Sequence, residues 1–242
     1  MNSTQSSNSA RIKALLEFVH MVLSNSKLQD SAHDLDHTLR VWKIGMKIGE
    51  IEKANLEILE PALILHDIVR PASFLDDSAD AKDAPKTASS SKINFKKSEN
   101  SHNSSSKKES HASESAMLAR KILPDFYYKE DEIERIIHAI ESHSNNGKSI
   151  PKSLEAKIVY DADCYDTLGF SGCARAALFA ARLKMTTSEM GEWYLLKIKK
   201  MLDKAPFFTP YAVRLANDRL TISLEFCKEL VGKERFEEIM KK

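Results

Sequence analysis

Histidines and carboxylates in this chain gather into four short runs: HDLDH at His33 to His37, His66 with Asp67, HAIESH at His138 to His143, and DADCYD at Asp161 to Asp166. A further histidine, His111, opens a helical stretch. Of the eight histidines, His33, His37, His66, His111, His138 and His143 lie in or beside these clusters, while His20 and His102 do not. Imidazole and carboxylate together are the donor types that hold Mn, Mg, Co, Ni, Fe or Zn, with water completing the shell, and composition does not choose among these divalent ions. Taken singly, each of these residues is more commonly a satisfied core histidine or a helix cap, and His33, Asp34 and Asp36 read as solvated or capping residues. The joint pattern is what points to a metal site.

Helices must position these groups. Only seven glycines and seven prolines punctuate the chain and alternating β-branched runs are scarce, so period-3.6 elements are the economical reading. The pattern predicts nine helices, over about 9–25, 35–52, 56–69, 111–123, 130–144, 152–167, 171–184, 188–203 and 210–240, and an all-α domain. On the second, His37 shares a face with Val41, Ile44 and Ile48, so its imidazole points at the core. On the third, Leu59, Leu63, His66 and Asp67 fall within one arc, which sets an imidazole and a carboxylate at the buried end of an apolar face. A buried carboxylate needs compensation, and a metal ion is one form of it. His138 lies nearly opposite Ile133, Ile136, Ile137 and Ile140 and is expected in solvent. Periodicity puts Asp161, rather than Asp163, with Leu154, Ile158, Tyr165 and Leu168, but Val159 and Ala162 make the inward face of that helix ambiguous.

Composition bounds the setting. With 42% hydrophobic residues in 242, the chain can bury one substantial core, and a single domain over 9–242 is expected. Residues 76–110, rich in Ser and Lys with Ile93 and Phe95 as the large apolar side chains, cannot bury enough surface to offset ordering and read as a disordered insertion. Lys+Arg 36 against Asp+Glu 35 leaves no global basic field for nucleic acid or anionic membrane. Cys164, Cys173 and Cys227 form no CxxC pair, and the N-terminal stretch has no apolar leader-like run, so a reducing, cytoplasmic setting without a membrane span is expected. P-loop, dinucleotide, zincin and serine-hydrolase signatures are absent from the sequence.

The ordered set HDLDHTLRVWKIG, LILHDIVRP, HASESAMLARKIL, IIHAIESHS and EAKIVYDADCYDTLGFSG resembles the HD-domain metal-dependent phosphohydrolase superfamily, in particular small HD proteins similar to nucleotide pyrophosphohydrolases. The resemblance runs over about 30–185, minus the insertion, and leaves helices over 188–240 beyond it. It implies an HD-type helical bundle with His37, His66, Asp67 and Asp163 as metal ligands, Asp161 staying open as the alternative to Asp163. Asp67, His111 and His143 are the implied catalytic groups, and a single ion is preferred because the paired His-His and Gly-Tyr-Pro signatures of the cyclic-dinucleotide branch are missing. Arg40, Arg70 and Arg175 are candidates to neutralise substrate phosphate, with surface pairing as the alternative. The implied reaction is attack of metal-activated water on a small phosphorylated substrate, a nucleotide above all, as a nucleoside triphosphate pyrophosphohydrolase. Phosphomonoester or phosphodiester hydrolysis is the alternative chemistry, a non-catalytic ligand-binding module the alternative class, and the C-terminal helices would complete the core, cover the pocket or form a homodimer surface.

Overall fold

The computed structural model describes residues 3–25, 35–69, 111–144, 149–203 and 207–241. Among them every regular element is helical: α1 (Ser3–Asn25), α2 (Leu35–Glu52), α3 (Leu56–Leu65), α4 (His111–Ile122), a 3₁₀ turn (Leu123–Phe126), α5 (Glu130–Glu141), α6 (Leu154–Asp166), α7 (Gly169–Arg182), α8 (Thr187–Asp203), α9 (Pro210–Val231) and α10 (Lys233–Lys241). The protein is all-α, as its sequence pattern predicts. The 76–110 segment, His33, Asp34 and Arg70 lie outside the described residues.

Three boundaries differ from expectation for identifiable reasons. The helix expected to end at 240 breaks at Gly232, whose φ of 82° suits a residue without Cβ, and restarts as α10. Helices α3 and α5 stop at Leu65 and Glu141 rather than running through the following histidines, where His66 and His143 turn Nδ1 back onto the Leu63 and Ile140 carbonyls. Helix α1 begins at Ser3, ahead of the expected residue 9.

Two apolar clusters make up the interior. One gathers α1 to α6 around Leu59, Leu63, Ile136 and Ile158; the other gathers α7 to α10 around Trp193, Tyr194 and Ile198. Helix α6 belongs to both, giving Ile158, Val159 and Ala162 to the first and Tyr160 and Cys164 to the second. Apolar residues on several sides of this segment therefore reflect a central helix.

Helices α2 and α3 form an antiparallel pair. A Cβ added at Gly45 would run into the Leu63 side chain, and one at Gly49 into Leu59, so the two glycines let the helices approach closely. Asn55 starts α3 by accepting from Glu57 N at 3.0 Å. Helix α6, begun by a Ser153 cap on Ala156 N, is antiparallel to α2: Glu155 accepts from Asn55 N at one end, and Asp166 meets His37 at the other.

The α6–α7 turn is equally tight. The Thr167 carbonyl accepts the Tyr194 hydroxyl at 2.7 Å, and a Cβ at Gly172 would collide with that same carbonyl oxygen. We expect Gly172→Ala to cost about 1–3 kcal/mol through overpacking. A lower urea midpoint at unchanged slope is the expected readout, and an unshifted midpoint would mean that the turn yields freely.

Candidate metal centre

The up-and-down course of α2 to α6 brings element ends together. His37 stands in the first turn of α2, His66 and Asp67 directly follow α3, His111 is the first residue of α4, His143 follows α5, and Asp163 lies in the last turn of α6. Ser115 ties the segment after Asp67 to α4, accepting from Val69 N at 3.1 Å and donating to Val69 O at 3.3 Å.

Three imidazoles have their Nδ1 atoms committed. His66 Nδ1 donates to the Leu63 carbonyl at 2.8 Å, His143 Nδ1 to the Ile140 carbonyl at 2.6 Å, and His37 Nδ1 to the Asp166 carboxylate at 2.8 Å. A carbonyl only accepts, so these partners assign the proton to Nδ1 and, in the neutral rings, leave a lone pair on each Nε2. Burial depresses the His66 pKa to about 4, so that ring is neutral at pH 7. The Nε2 atoms of His37 and His66 face each other at 3.2 Å, close enough for one cation to take both as donors. His143 Nε2 is buried without a hydrogen-bond partner and faces Asp67 Oδ1 at 3.4 Å.

Asp67 stands between two donor sets. Its Oδ2 lies 3.5 Å from His37 Nε2 and 3.7 Å from His66 Nε2, while its Oδ1 lies 3.4 Å from His143 Nε2 and 3.9 Å from His111 Nε2. Asp163 Oδ1 approaches His37 Nε2 at 3.5 Å. Two groups of three result, His37 with His66 and Asp163, and Asp67 with His111 and His143; within each, one donor atom per residue falls within 4.8 Å of the others. Either could hold an ion, so His111 and His143, which the sequence reading assigned to substrate phosphate or water, stand in a donor group.

Electrostatics and exposure grade across the site. Burial opposes ionisation of Asp163, but His37 and His66 outweigh it and hold the carboxyl below its usual range. Burial likewise disfavours protonated His143, but Asp67 overcomes this and raises its pKa. The His37 and His66 side chains are 0% exposed, His111 11% and Asp163 25%, so solvent reaches the cluster past Asp163 and His111.

Other sequence candidates stand elsewhere. Asp161 is fully buried and accepts from Phe208 N, Thr209 N and Thr209 Oγ1 at 2.7, 2.8 and 2.6 Å, at the start of α9. Arg40 and Arg175 both donate to Asp166. His138, expected in solvent, is half-buried because its Nε2 accepts from Lys152 N at 3.2 Å, outside the donor groups. Sequence reasoning missed Asp166, although it follows Asp163 by one helical turn and so shares its side of α6.

The family model for the HD domain matches residues 34–168. The chain belongs to the HD domain family. Membership supports a metal-dependent phosphohydrolase in general terms. The uncharacterized protein YpgQ of Bacillus subtilis is 29% identical over 213 residues, with 84% of each chain covered. The crystal structure of YpgQ in complex with ADP superposes with a TM-score of 0.63 at 23% identity, covering 93% of this chain and 95% of that one. A predicted HD superfamily hydrolase from an uncultured Thermotogales bacterium superposes at 0.56 and 23% identity, with 92% of each chain covered. At these identities the solved structures establish a shared helical fold.

Proposed function

We propose that this HD protein hydrolyses a nucleotide, converting a nucleoside triphosphate to the monophosphate and pyrophosphate. The observation that carries this reading is the convergence of Nδ1-anchored imidazoles on Asp67, their Nε2 atoms turned inward. His37, His66 and Asp163 would hold a divalent ion with Asp67; Asp67, His111 and His143 have the donors for a second. Such an ion lowers the pKa of coordinated water towards neutrality and polarises a phosphoryl oxygen. The ADP complex of YpgQ favours a nucleotide over a simple phosphate ester.

The chain's own groups supply proton handling and orientation. Burial disfavours protonated His143, but Asp67 raises its pKa. With one ion held at His37, His66 and Asp163, this ring is the group that passes a proton to a departing phosphate oxygen, a role it gives up where it binds a second ion. Asp67 accepts a proton in exchange, and His111 shares the leaving-group side. Arg40, with 40% of its side chain exposed, meets substrate phosphate at the rim; Arg175, 13% exposed, chiefly supports Asp166. Arg70, beside Asp67 in sequence, stays in this reading as a phosphate contact. No helix among the described residues is long and apolar enough to cross a membrane, and three buried free thiols fit the cytoplasmic setting proposed here.

Metal analysis of purified protein, followed by an Mn-supplemented screen of nucleotides and phosphate esters, tests this function. Pyrophosphate as product supports it. Orthophosphate alone, or a ring-opened nucleotide, would replace it with phosphomonoesterase or phosphodiesterase chemistry. Failure to bind or turn over with any ion would leave a ligand-binding module.

A further inference from the structure

Asp166 gathers more charge than its own position in the chain requires. Asp166 is 2% exposed, and its carboxylate accepts five hydrogen bonds from two helices, α2 and α7. Oδ2 takes His37 Nδ1 at 2.8 Å, Arg175 at 2.9 Å and Arg40 Nη2 at 3.1 Å; Oδ1 takes Arg40 Nε at 2.8 Å and Ser171 Oγ at 3.3 Å. Two guanidiniums on one carboxylate supply more positive charge than ion pairing needs. The surplus favours the ionised form, so the proton between Asp166 and His37 stays on Nδ1 and the His37 lone pair stays on Nε2.

The turn that carries Asp166 is itself held from the C-terminal helices. Arg219 of α9 donates to the carbonyls of Tyr165 and Leu168 and to Ser171 Oγ, and its guanidinium stacks 4.4 Å from the Tyr165 ring centre. Gly169, at φ +72°, lets the chain turn beneath it. Gly169 N also donates to Ser223 Oγ of α9 at 2.8 Å. A continuous polar path thus runs from α9 through Ser171 and Asp166 to His37 Nδ1.

We propose that Asp166 is a positioning residue for the metal centre, fixing the tautomer and ring direction of His37 from a turn that Arg219 braces. This rests on the metal-binding part of the proposed function. It also gives the segment beyond residue 185 a role at the centre through α9. Outer partners of this kind typically change metal affinity by about 10–100-fold.

The test uses two variants, because removing a buried carboxylate strands the cations around it. Asp166→Asn keeps the shape; Asp166→Ala with Arg175→Leu removes the carboxylate together with its more buried cation. Mn(II) affinity is measured by calorimetry at a temperature where circular dichroism shows each variant folded. The imidazole tautomer is read from ¹⁵N resonances of the metal-free protein, assigned with His37→Gln. The expected result is a Kd weakened by about 10–100-fold in both variants, with the His37 signals leaving the Nδ1–H pattern. Wild-type affinity and an unchanged His37 pattern in either folded variant would overturn the proposal while leaving the function standing. A wild-type protein that binds no divalent ion would overturn both.

Discussion

Asp67→Ala is expected to remove turnover and metal retention together. Asp67 is the residue shared between the two donor sets, one carboxylate oxygen directed at His37 and His66 and the other at His143 and His111. Its loss removes the carboxylate oxygen that stands beside the first set, 3.5 Å from His37 Nε2 and 3.7 Å from His66 Nε2, and leaves the second with two imidazoles. The Mn(II) affinity should therefore fall by more than the roughly 100-fold typical of changes behind the ligands. Asp67→Asn keeps the volume and one acceptor oxygen but not the charge, so it should retain more metal than the alanine variant while losing turnover, the proton acceptor being gone. Elemental analysis of the purified variants, with pyrophosphate release measured under added Mn, checks both halves. Turnover in Asp67→Ala within tenfold of wild type would show that the reaction runs elsewhere.

Much of this site was legible because its residues sit at helix ends. The inward face of α2 follows from the spacing of His37, Val41 and Ile48, and the buried end of α3 from Leu59, Leu63 and His66; all six are 0% exposed. What periodicity could not supply was the conformation just past those ends. His66 and His143 each leave their helix and turn Nδ1 onto the carbonyl three residues back. That is a local competition between side chain and helix ladder, with no signature in the apolar pattern. Asp166 was illegible for another reason. Its partners, His37, Arg40, Ser171 and Arg175, lie on both sides of it in sequence and as far as 129 residues away, so its role is defined by packing rather than spacing. The ambiguity over α6 had a third origin: a helix buried in two clusters presents no single apolar stripe from which an inward carboxylate could be chosen.

That ambiguity can be settled by a pair of substitutions whose expected effects are opposite. Asp161 accepts two backbone N–H groups and the Thr209 hydroxyl where α9 begins, and both Asp161 and Thr209 are buried. Asp161→Ala strands these donors, each buried one costing about 1–3 kcal/mol, so a loss of about 3–5 kcal/mol is expected. Metal affinity should be kept in the fraction that remains folded. Asp163 has the contrary profile. Its side chain is 25% exposed, its carboxylate lies 3.5 Å from His37 Nε2, and the surrounding imidazoles hold it ionised. Asp163→Ala should therefore shift stability by no more than about 1 kcal/mol, while metal affinity falls by over about 100-fold and turnover is lost. Urea denaturation beside Mn(II) titration separates the two. A stable Asp161 variant unable to bind metal, beside an Asp163 variant that binds normally, would transfer the ligand role to Asp161. The helical face that faces Thr209 would then have to be the one that faces His37, which a single rigid α6 cannot provide.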